Sequence, residues 1–522
     1  MTEPSPEFSV LFSTWPRPLT AAPDYFRDLN LDAVARRLVR PGDPGPQAGY
    51  FATLTDAETV ALRQAVFRDL DDDPSLTTAI DRFCGTMDAV RALAGLVARA
   101  ESRWERVGRN LQLCEVYLTA VDDLAGALRD ADLRSPVLCA LGGYLTDLTG
   151  GPGVRRLRSR LDEASRVRGR LRYGIFLKRD TVTVRRTAGD AGYLDDVRNV
   201  LRCFIDEQVV HDAPPPVASL RPLNHVQREI LDRVAPLFHD EMALLADVAG
   251  EADGLVDDTV TRVDQEFRFY LRYRELLAEL SAAGFPCCLP SPAERGETVG
   301  VTAGYDVALA LARTDDADPA AAAAPADAVV TNDVALTPPE RVLVVSGPNQ
   351  GGKTTFARMV GQLHHLAAIG VPVPGTCARL ELPDAIYTHF EREEIPAGGP
   401  GKLGDELLRV QAILKRVTAA SVVILNETFG STSLADARGL GRVVLAELTA
   451  VGALTVYVTF VDELSRLSPA TVSLVSSVDP ADPVRRTFRI ERRSADGRAY
   501  AQVLAEHYRL TADGVRAQVR SC

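Results

Sequence analysis

The sequence predicts a multidomain protein in which an all-α half precedes an α/β half that carries a phosphate-binding loop. Apolar residues recur at helical spacing through the first 300 residues, whereas short β-branched segments alternate with helical segments after Val329. The apolar run Val342–Val345 indicates a buried parallel strand, and it leads directly into a glycine-rich loop and a helix start. This order is typical of a phosphate-binding α/β domain.

The composition is that of an ordinary globular protein. The 522 residues are 46% hydrophobic, which is enough for two to four domains with full cores, and the net charge is −12. Such an acidic chain does not coat nucleic acid over its whole surface, so any contact with nucleic acid has to be local.

Cysteine usage and hydropathy indicate an intracellular protein. The eight cysteines are scattered without a C-x-x-C pair, as in a reduced chain. The first residues lack a secretory signal, and no apolar run reaches the roughly 18 to 20 residues that span a membrane. We therefore expect no membrane partner and a cytoplasmic location, the nucleoid included.

The chain divides into three predicted parts. Residues 1–300 form a helical part, in which Ala57–Leu70 and Leu93–Leu128 place apolar side chains at three- and four-residue intervals. Residues 301–328 contain an alanine run with two prolines and are predicted to be a linker or low-complexity loop. Residues 329–522 form the α/β part.

A basic arm near 154–186 interrupts the helical part. Val154–Arg186 contains twelve basic and three acidic residues, and Tyr173–Arg186 alternates like a β-hairpin. Extended positive charge on an acidic body is the arrangement expected for contact with a phosphate backbone, although a solvated arginine face has the same composition. The candidate DNA contacts are Arg166, Arg168, Arg170, Arg172, Lys178 and Arg179.

The glycine-rich loop fits the Walker A spacing, Gly347-x-x-x-x-Gly352-Lys353-Thr354. Lys353 would reach the terminal phosphates of a nucleotide, and the Thr354 hydroxyl would ligate Mg²⁺. The whole chain has only four lysines, so background usage does not explain a lysine here. The predicted nucleotide-binding residues are Gly347, Pro348, Asn349, Gln350, Gly351, Gly352, Lys353, Thr354 and Thr355.

A second chemical site follows the apolar run Val422–Leu425. Asn426 and Glu427 stand where a Walker B pair is expected, the first residue holding Mg²⁺ together with Thr354 and the second activating water. Asn426 supplies an amide oxygen but no negative charge, so metal affinity should be lower than with aspartate. The candidate catalytic residues are Glu427, Lys353 and Asn349.

These motifs resemble the ATPase domain of the MutS family of DNA mismatch-repair proteins. The matching segments are Gly347–Thr355, Ile369–Pro374 and Asn426–Ser433, and their order agrees over roughly residues 329–522. Residues 24–290 resemble the family's helical core and lever less strongly. The resemblance implies an all-α core and lever followed by an α/β P-loop ABC-type ATPase domain.

The resemblance also implies a homodimer that sandwiches ATP and Mg²⁺ between the P-loop of one subunit and a signature loop of the other. Gly399, Gly401 and Lys402 match that signature loop, with Gly401 where the family has serine. Phe460 occupies the switch position, where the family usually has histidine. The stretch Thr487–Arg520 resembles the helices that complete the family's dimer.

Two further features of the family are not expected in this sequence. The residues before Tyr25 leave no room for the domain that reads mismatches, and those after Val519 leave none for a nuclease of the Smr type. The resemblance therefore implies the ATP-driven machinery without the usual lesion reader.

Three hypotheses for function follow. The leading one is an ATP-dependent DNA-binding ATPase of the MutS type, acting in mismatch repair or related sensing of DNA damage or structure, in which ATP closes a dimer that grips DNA. The alternative is a hydrolysis-poor switch that binds ATP and assembles a dimer for a protein partner. A P-loop phosphotransferase is disfavoured because no separate acceptor site is evident. The sequence names no repair partner.

Overall fold

The chain forms two compact units, which are described separately. The computed structural model describes residues 8–12, 22–39, 47–178, 181–187, 221–252, 254–316, 329–391, 401–479 and 486–494. The first unit comprises Met1–Val10 and Arg68–Arg268, and the second comprises Leu11–Phe67 and Phe269–Cys522.

The first unit is helical, as predicted. Its helices begin at residues that can bond the free N–H groups of a first turn: Asp73 accepts from Ser75 and Leu76, and Asn224 forms a capping box with Gln227. The helices are Pro74–Arg99, Arg103–Asp130, Pro136–Gly150, Pro152–Arg170, His225–Val234 and His239–Glu251. Two further helices, Ala57–Asp72 and Asp258–Ala282, contain residues of both units.

An antiparallel hairpin follows the arginine-rich helix, which confirms the predicted hairpin. Strands β1 (Tyr173–Lys178) and β2 (Thr181–Arg186) pair with Tyr173 opposite Arg186. Among the described helices of the chain, none is both long and apolar enough to cross a membrane.

The second unit is α/β, and its described residues form three sheets. Its helices are Tyr25–Asp28, Leu31–Leu38, Gln47–Phe51, Val307–Asp315, Lys353–Ala368, Gly401–Leu414 and Leu434–Val451. Its shorter sheets use β3 (Cys287–Cys288), β4 (Ser291–Pro292), β5 (Val299–Gly304), β6 (Asn332–Leu336), β8 (Val373–Pro374) and β9 (Cys377–Leu380). Strand β3 pairs with β8, and the other four lie in the order β4–β9–β5–β6.

The largest sheet positions the candidate site. Its six strands are β7 (Val342–Ser346), β10 (Ile386–His389), β11 (Val422–Asn426), β12 (Leu454–Val458), β13 (Thr471–Val478) and β14 (Arg486–Arg492). They lie in the order β10–β11–β12–β7–β13–β14, and all but β14 are parallel. The carboxyl ends of β7 and β11 therefore meet at one edge, where ligands bind in open α/β sheets.

Burial explains why the central strands are continuous apolar runs. Every residue of β7, β11 and β12 is buried, as expected for parallel strands covered on both faces. Alternate residues of β7 and β11 join Leu445, Leu448 and Phe429 in one apolar cluster with the helix Leu434–Val451. The β-branched side chains of these strands thus fill a closed core.

The segment predicted to be a linker is partly regular structure. Residues 299–304 form β5 and residues 307–315 form a helix, so only 317–328 of the predicted linker lie outside the described residues. Asp306 starts the helix by accepting hydrogen bonds from the N–H groups of Ala308 and Leu309. The alanine run drew the predicted boundary too far towards the N-terminus.

The stretch that resembles dimer helices begins differently from the prediction. Residues 487–492 belong to β14, which pairs with β13, and are not helical. Hydrogen bonding to a sheet edge has overridden the local pattern here. Residues 495–522, which contain most of the predicted dimer helices, lie outside the described residues.

Leu11–Phe67 belong to the α/β unit, although their pattern predicted a place in the helical part. Arg63 is fully buried and donates from Nε to the Leu11 carbonyl at 2.8 Å and from a terminal nitrogen to the Ile369 carbonyl at 2.7 Å. Leu54 N–H also donates to the Ala368 carbonyl at 2.8 Å. The bonds to Ala368 and Ile369 satisfy carbonyls at the end of the helix Lys353–Ala368, where no further intrahelical donors follow.

Candidate active site

The loop after β7 has the strand–loop–helix order that the sequence predicts. Strand β7 ends at Ser346, and the helix begins at Lys353. Gly347 and Gly352 adopt φ values of 114° and 88°, the left-handed region in which glycine is unstrained. At Gly351 the reason for glycine is space, since a Cβ there would collide with Ser476 of β13. Ser476 Oγ instead donates to the Gly351 carbonyl at 2.6 Å, which fixes the loop to the sheet.

Lys353 lies folded onto its own loop. Its Nζ donates to the carbonyl oxygens of Gly347 at 2.9 Å and Pro348 at 3.0 Å, and lies 3.4 Å from Asn349 Oδ1. Lys353 is only 5% exposed, and burial lowers the pKa of its ammonium, while the charge of Glu427 opposes that shift. An ammonium held this way can exchange weak carbonyl partners for phosphate oxygens.

Thr354 and Asn426 form the candidate metal position. Thr354 Oγ1 donates to Asn426 Oδ1 at 3.0 Å, so the end of β11 and the start of the helix meet. Neighbouring ligands in an octahedral Mg²⁺ shell are about 3 Å apart, because each lies about 2.1 Å from the ion. The two oxygens therefore fit adjacent Mg²⁺ positions. The described part of the chain has no group of three or more His, Cys, Asp or Glu residues that could hold a metal.

Glu427 follows directly on β11 and opens a turn of unusual backbone geometry. Its φ is 52°, and its N–H donates to the Val458 carbonyl of β12 at 3.0 Å. Phe429, two residues on, has φ 66° and is fully buried in the apolar cluster. Left-handed backbone costs a residue with a Cβ roughly 1–2 kcal/mol, and such strain tends to persist at functional sites.

Lys353, Thr354 and Glu427 line one pocket of about 300 Å³ in the second unit. Residues 350–355 and Glu427 form its polar side, and Tyr305, Leu309, Val330 and Phe488 contribute an apolar side. Such a pocket suits a ligand with a charged end and a flat apolar end.

Sequence reasoning missed the apolar side of the pocket. Asn332 of β6 holds it in place by donating to the Phe488 carbonyl at 3.2 Å and accepting from Ile490 N–H at 2.7 Å. No motif marks these positions, because they come from segments that only the sheet pairing brings to the loop.

Gly401, Lys402 and Phe460, which were predicted as signature and switch residues, are not among the residues that line the pocket. Gly401 starts the helix Gly401–Leu414 with φ 77°, and nothing lies within 4 Å of a Cβ built there. Lys402 forms an ion pair with Glu391, and Gly399 lies outside the described residues. Phe460 is 48% exposed just beyond β12. Among the described residues, the structure thus does not bring Gly401, Lys402 or Phe460 to the pocket that contains Lys353.

In the first unit, many arginines of the predicted basic arm already have acidic partners. Arg158 pairs with Asp122, and Arg168 donates to Glu115 at 3.0 Å. Arg156 and Arg160 also pair with Glu251. The acidic side chains of neighbouring helices therefore neutralise much of the positive charge that the sequence places here.

The remaining charge concentrates at the end of the helix Pro152–Arg170 and in the hairpin. Among the described residues, no carboxylate pairs with Arg166, Arg170, Arg172 or Arg185; Arg166 and Arg172 donate only to nearby carbonyls. The structure describes the backbone of Lys178 but not its side chain, and Arg179 lies outside the described residues.

Exposed apolar side chains accompany these arginines on the hairpin. Tyr173 and Ile175 are 45% exposed, and Phe176 is 50% exposed. The Phe176 ring lies over Gly174, where a Cβ would come within 3.1 Å of its edge, and Gly174 pairs with Arg185 across the hairpin. Arginine beside an open aromatic ring is a surface that suits nucleic acid.

Comparison with known proteins agrees with the motifs of the α/β unit. Residues 343–498 match MutS domain V. An endonuclease MutS2 of Gemmatimonas aurantiaca is 30% identical over 186 residues, which are 35% of this chain and 23% of that protein.

Proteins named for DNA mismatch repair match as well. The DNA mismatch repair protein MutS of Shouchella clausii is 31% identical over 182 residues, which are 34% of this chain and 21% of that protein. The protein of the same name from Aquifex pyrophilus is 35% identical over 139 residues, 26% of this chain and 16% of that protein. The matches thus span less than a quarter of each relative's length.

Proposed function

Because residues 343–498 match MutS domain V, this part of the chain belongs to the MutS family, and we propose that the protein is an ATP-dependent DNA-binding ATPase. The observation that carries the proposal is the convergence of Lys353, Thr354 and Glu427 on one pocket of the second unit. Mismatch repair, or a related sensing of DNA damage or structure, is the process that the names of the relatives suggest.

ATP fits the pocket through both of its sides. Backbone N–H groups of residues 350–355 and the start of the helix Lys353–Ala368 favour phosphate oxygens. Lys353 would leave the carbonyls of Gly347 and Pro348 for those oxygens. The side formed by Leu309, Val330 and Phe488 would contact the base.

Thr354 and Asn426 would hold Mg²⁺, with phosphate and water completing its shell. The bound ion would neutralise phosphate charge and so favour attack on the terminal phosphate. Glu427 would accept a proton from the attacking water, for which its place beside Thr354 and Lys353 in the pocket lining is suitable.

We expect Asn426→Asp to lower the Mg²⁺ concentration needed for ATP binding by about tenfold, because an ionised carboxylate adds charge to a site that has two neutral oxygens. Titration of Mg²⁺ against a fluorescent ATP analogue would measure this. Binding of the analogue in EDTA is the control and should not improve. An unchanged Mg²⁺ dependence would contradict the assignment of Asn426 to the metal.

DNA is proposed to bind the arginines at the end of the helix Pro152–Arg170 and on the hairpin. These arginines have no acidic partners among the described residues and lie next to exposed aromatic rings. Such a surface supports contact with the DNA phosphate backbone that does not depend on the base sequence. ATP binding would then close a homodimer that grips DNA, with the Gly401 region meeting the partner's nucleotide; both steps are proposals.

Replacing Arg170, Arg172 and Arg185 together by glutamine is expected to weaken duplex binding at low salt about 10- to 100-fold. The dependence of log Kd on log salt should become shallower by about 0.9 for each phosphate that the variant no longer neutralises. Fluorescence anisotropy with labelled duplex measures both. Arg158→Gln is the matched control, since Arg158 on the same helix already pairs with Asp122. Equal affinity of the triple variant and the wild type for duplex DNA would contradict the assignment of this surface to DNA binding.

One experiment tests the whole proposal. ATP turnover is measured alone and with homoduplex, mismatched and branched DNA, in parallel with DNA binding at low salt. We expect measurable ATP turnover, at a rate that differs between the protein alone and the protein with DNA. Absence of DNA binding at low salt would overturn the DNA part, and absence of turnover would overturn the ATPase part.

A hydrolysis-poor switch that assembles a dimer for a protein partner is the second candidate. It is favoured by the uncharged Asn426 and by the exposed Phe460, which supplies no imidazole to sense the terminal phosphate. Tight ATP binding and ATP-dependent dimerisation without turnover would select this candidate.

A further inference from the structure

A buried carboxylate reaches the loop that carries Glu427. Glu406, in the helix Gly401–Leu414, is 5% exposed, and its Oε2 accepts a hydrogen bond from Ser431 Oγ at 3.2 Å. Glu406 thus holds the loop through Ser431, four residues after Glu427.

The loop has a geometry that needs such an anchor. Glu427 and Phe429 adopt φ values of 52° and 66°, which residues with a Cβ rarely adopt. Gly430 N–H closes the turn on the Glu427 carbonyl at 3.2 Å, while the Phe429 side chain is fully buried. A small shift at Phe429 or Ser431 would therefore rotate the Glu427 side chain.

The other end of this connection is the helix start at Gly401. That helix follows directly on the predicted signature loop, and Lys402 in its first turn pairs with Glu391. Glu406 lies one turn further along, on the buried side of the helix. It therefore joins the helix that would meet a partner subunit to the loop that would activate water.

We propose that Glu406 is a positioning residue, which holds Glu427 in the orientation required for hydrolysis through its hydrogen bond with Ser431. The inference rests on the proposed ATPase function. It assigns Glu406 no contact with ATP, because Glu406 does not line the pocket.

The charge of Glu406 offers a readout that a purely structural role would not move. Burial raises the pKa of its carboxyl, whereas the hydrogen bond from Ser431, the nearby backbone N–H of Phe429 and the charge of Lys402 oppose that shift and the charge of Glu391 adds to it. Tyr457 is the other titratable group affected, since burial and the Glu406 charge raise its pKa. On acidification Glu406 should become neutral earlier than an exposed glutamate.

The test compares Glu406→Gln, Glu406→Ala and Ser431→Ala with the wild type. We expect kcat to fall about 10- to 100-fold in Glu406→Ala and less in Glu406→Gln, because small misplacement of a catalytic group costs up to about 100-fold. The affinity for a fluorescent ATP analogue and the melting temperature should stay close to wild type. Asp405→Asn, an exposed carboxylate beside Glu406, is the matched control and should behave as wild type.

Two further results are expected. Ser431→Ala is at an exposed position, so it should fold, and its effect should not add to that of Glu406→Ala because both break one connection. The ratio of wild-type to Glu406→Gln turnover should fall towards one as the pH is lowered, since protonated Glu406 resembles glutamine.

Several outcomes would overturn the inference. One is an unchanged kcat in Glu406→Ala and Ser431→Ala, and another is a loss of ATP-analogue binding in these variants that parallels the loss of kcat. A third is a ratio of wild-type to Glu406→Gln turnover that does not depend on pH. Absence of turnover in the wild type would instead overturn the proposed ATPase function, and the role of Glu406 would fall with it.

Discussion

Replacing Glu427 with glutamine is expected to reduce ATP turnover about 100-fold or more, because the variant keeps the size of the side chain but cannot accept a proton. ATP binding should persist, since the phosphate contacts come from residues 350–355 and Lys353. Single-turnover hydrolysis of radiolabelled ATP and binding of a fluorescent analogue would measure the two steps separately.

Glu447→Gln is the matched control for this prediction. Glu447 lies on the exposed side of the helix Leu434–Val451, so its replacement removes the same charge away from the pocket. Turnover that survives in Glu427→Gln would place the general base elsewhere. A wild type as slow as the variant would favour the hydrolysis-poor switch.

Replacing Lys353 with alanine is expected to weaken ATP binding about 100-fold. The ammonium now donates to two carbonyl oxygens, and on binding it would exchange them for phosphate oxygens. Charge-assisted hydrogen bonds to phosphate would contribute about 3 kcal/mol to the binding free energy, which corresponds to about 100-fold in Kd. Isothermal titration calorimetry with a slowly hydrolysed ATP analogue would measure the change in Kd.

The control for Lys353 is another of the few lysines of the chain. Lys415 is exposed and bonds only to the side chain of Gln411 at 3.3 Å, so Lys415→Ala should bind ATP as the wild type does. A thermal melt must accompany Lys353→Ala, because the carbonyls of Gly347 and Pro348 lose their donor. Equal Kd values for both variants would contradict the role of Lys353.

The local parts of the candidate site could be predicted because they are continuous in sequence. The glycine positions from Gly347 to Gly352 are required by φ values and close approach within a few residues, and the strand before them is an unbroken apolar run. The place of Asn426 and Glu427 at the end of β11 follows from the same logic. These are short-range constraints that composition and spacing record.

The apolar side of the pocket could not be predicted in this way. Leu309 and Phe488 reach the loop because β5, β6 and β14 lie beside it, and Asn332 fixes that arrangement through backbone groups. Glu406 escaped notice for the same reason. The proposed positioning role of Glu406 depends on its burial and on its hydrogen bond with Ser431, and the helical pattern of the sequence shows neither.

The sequence likewise predicted the number of basic residues in the basic arm, but not how far acidic side chains neutralise them. The sequence correctly places many arginines between Val154 and Arg186, yet Asp122, Glu115 and Glu251 lie on other helices and offset several of them. A count along the chain cannot include partners that only folding brings near. The structure therefore moves the candidate DNA surface to the end of the helix and the hairpin.

The sequence by itself determined the helical and α/β halves, the loop with Walker A spacing and the similarity of residues 343–498 to MutS domain V. Only the tertiary structure decided that Leu11–Phe67 belong to the α/β unit, that residues 299–315 contain a strand and a helix, and which side chains surround the loop. The physical reason is that periodicity and turn chemistry act over a few residues. Burial and hydrogen bonding choose partners, such as Arg63 for the Ile369 carbonyl, across the whole chain.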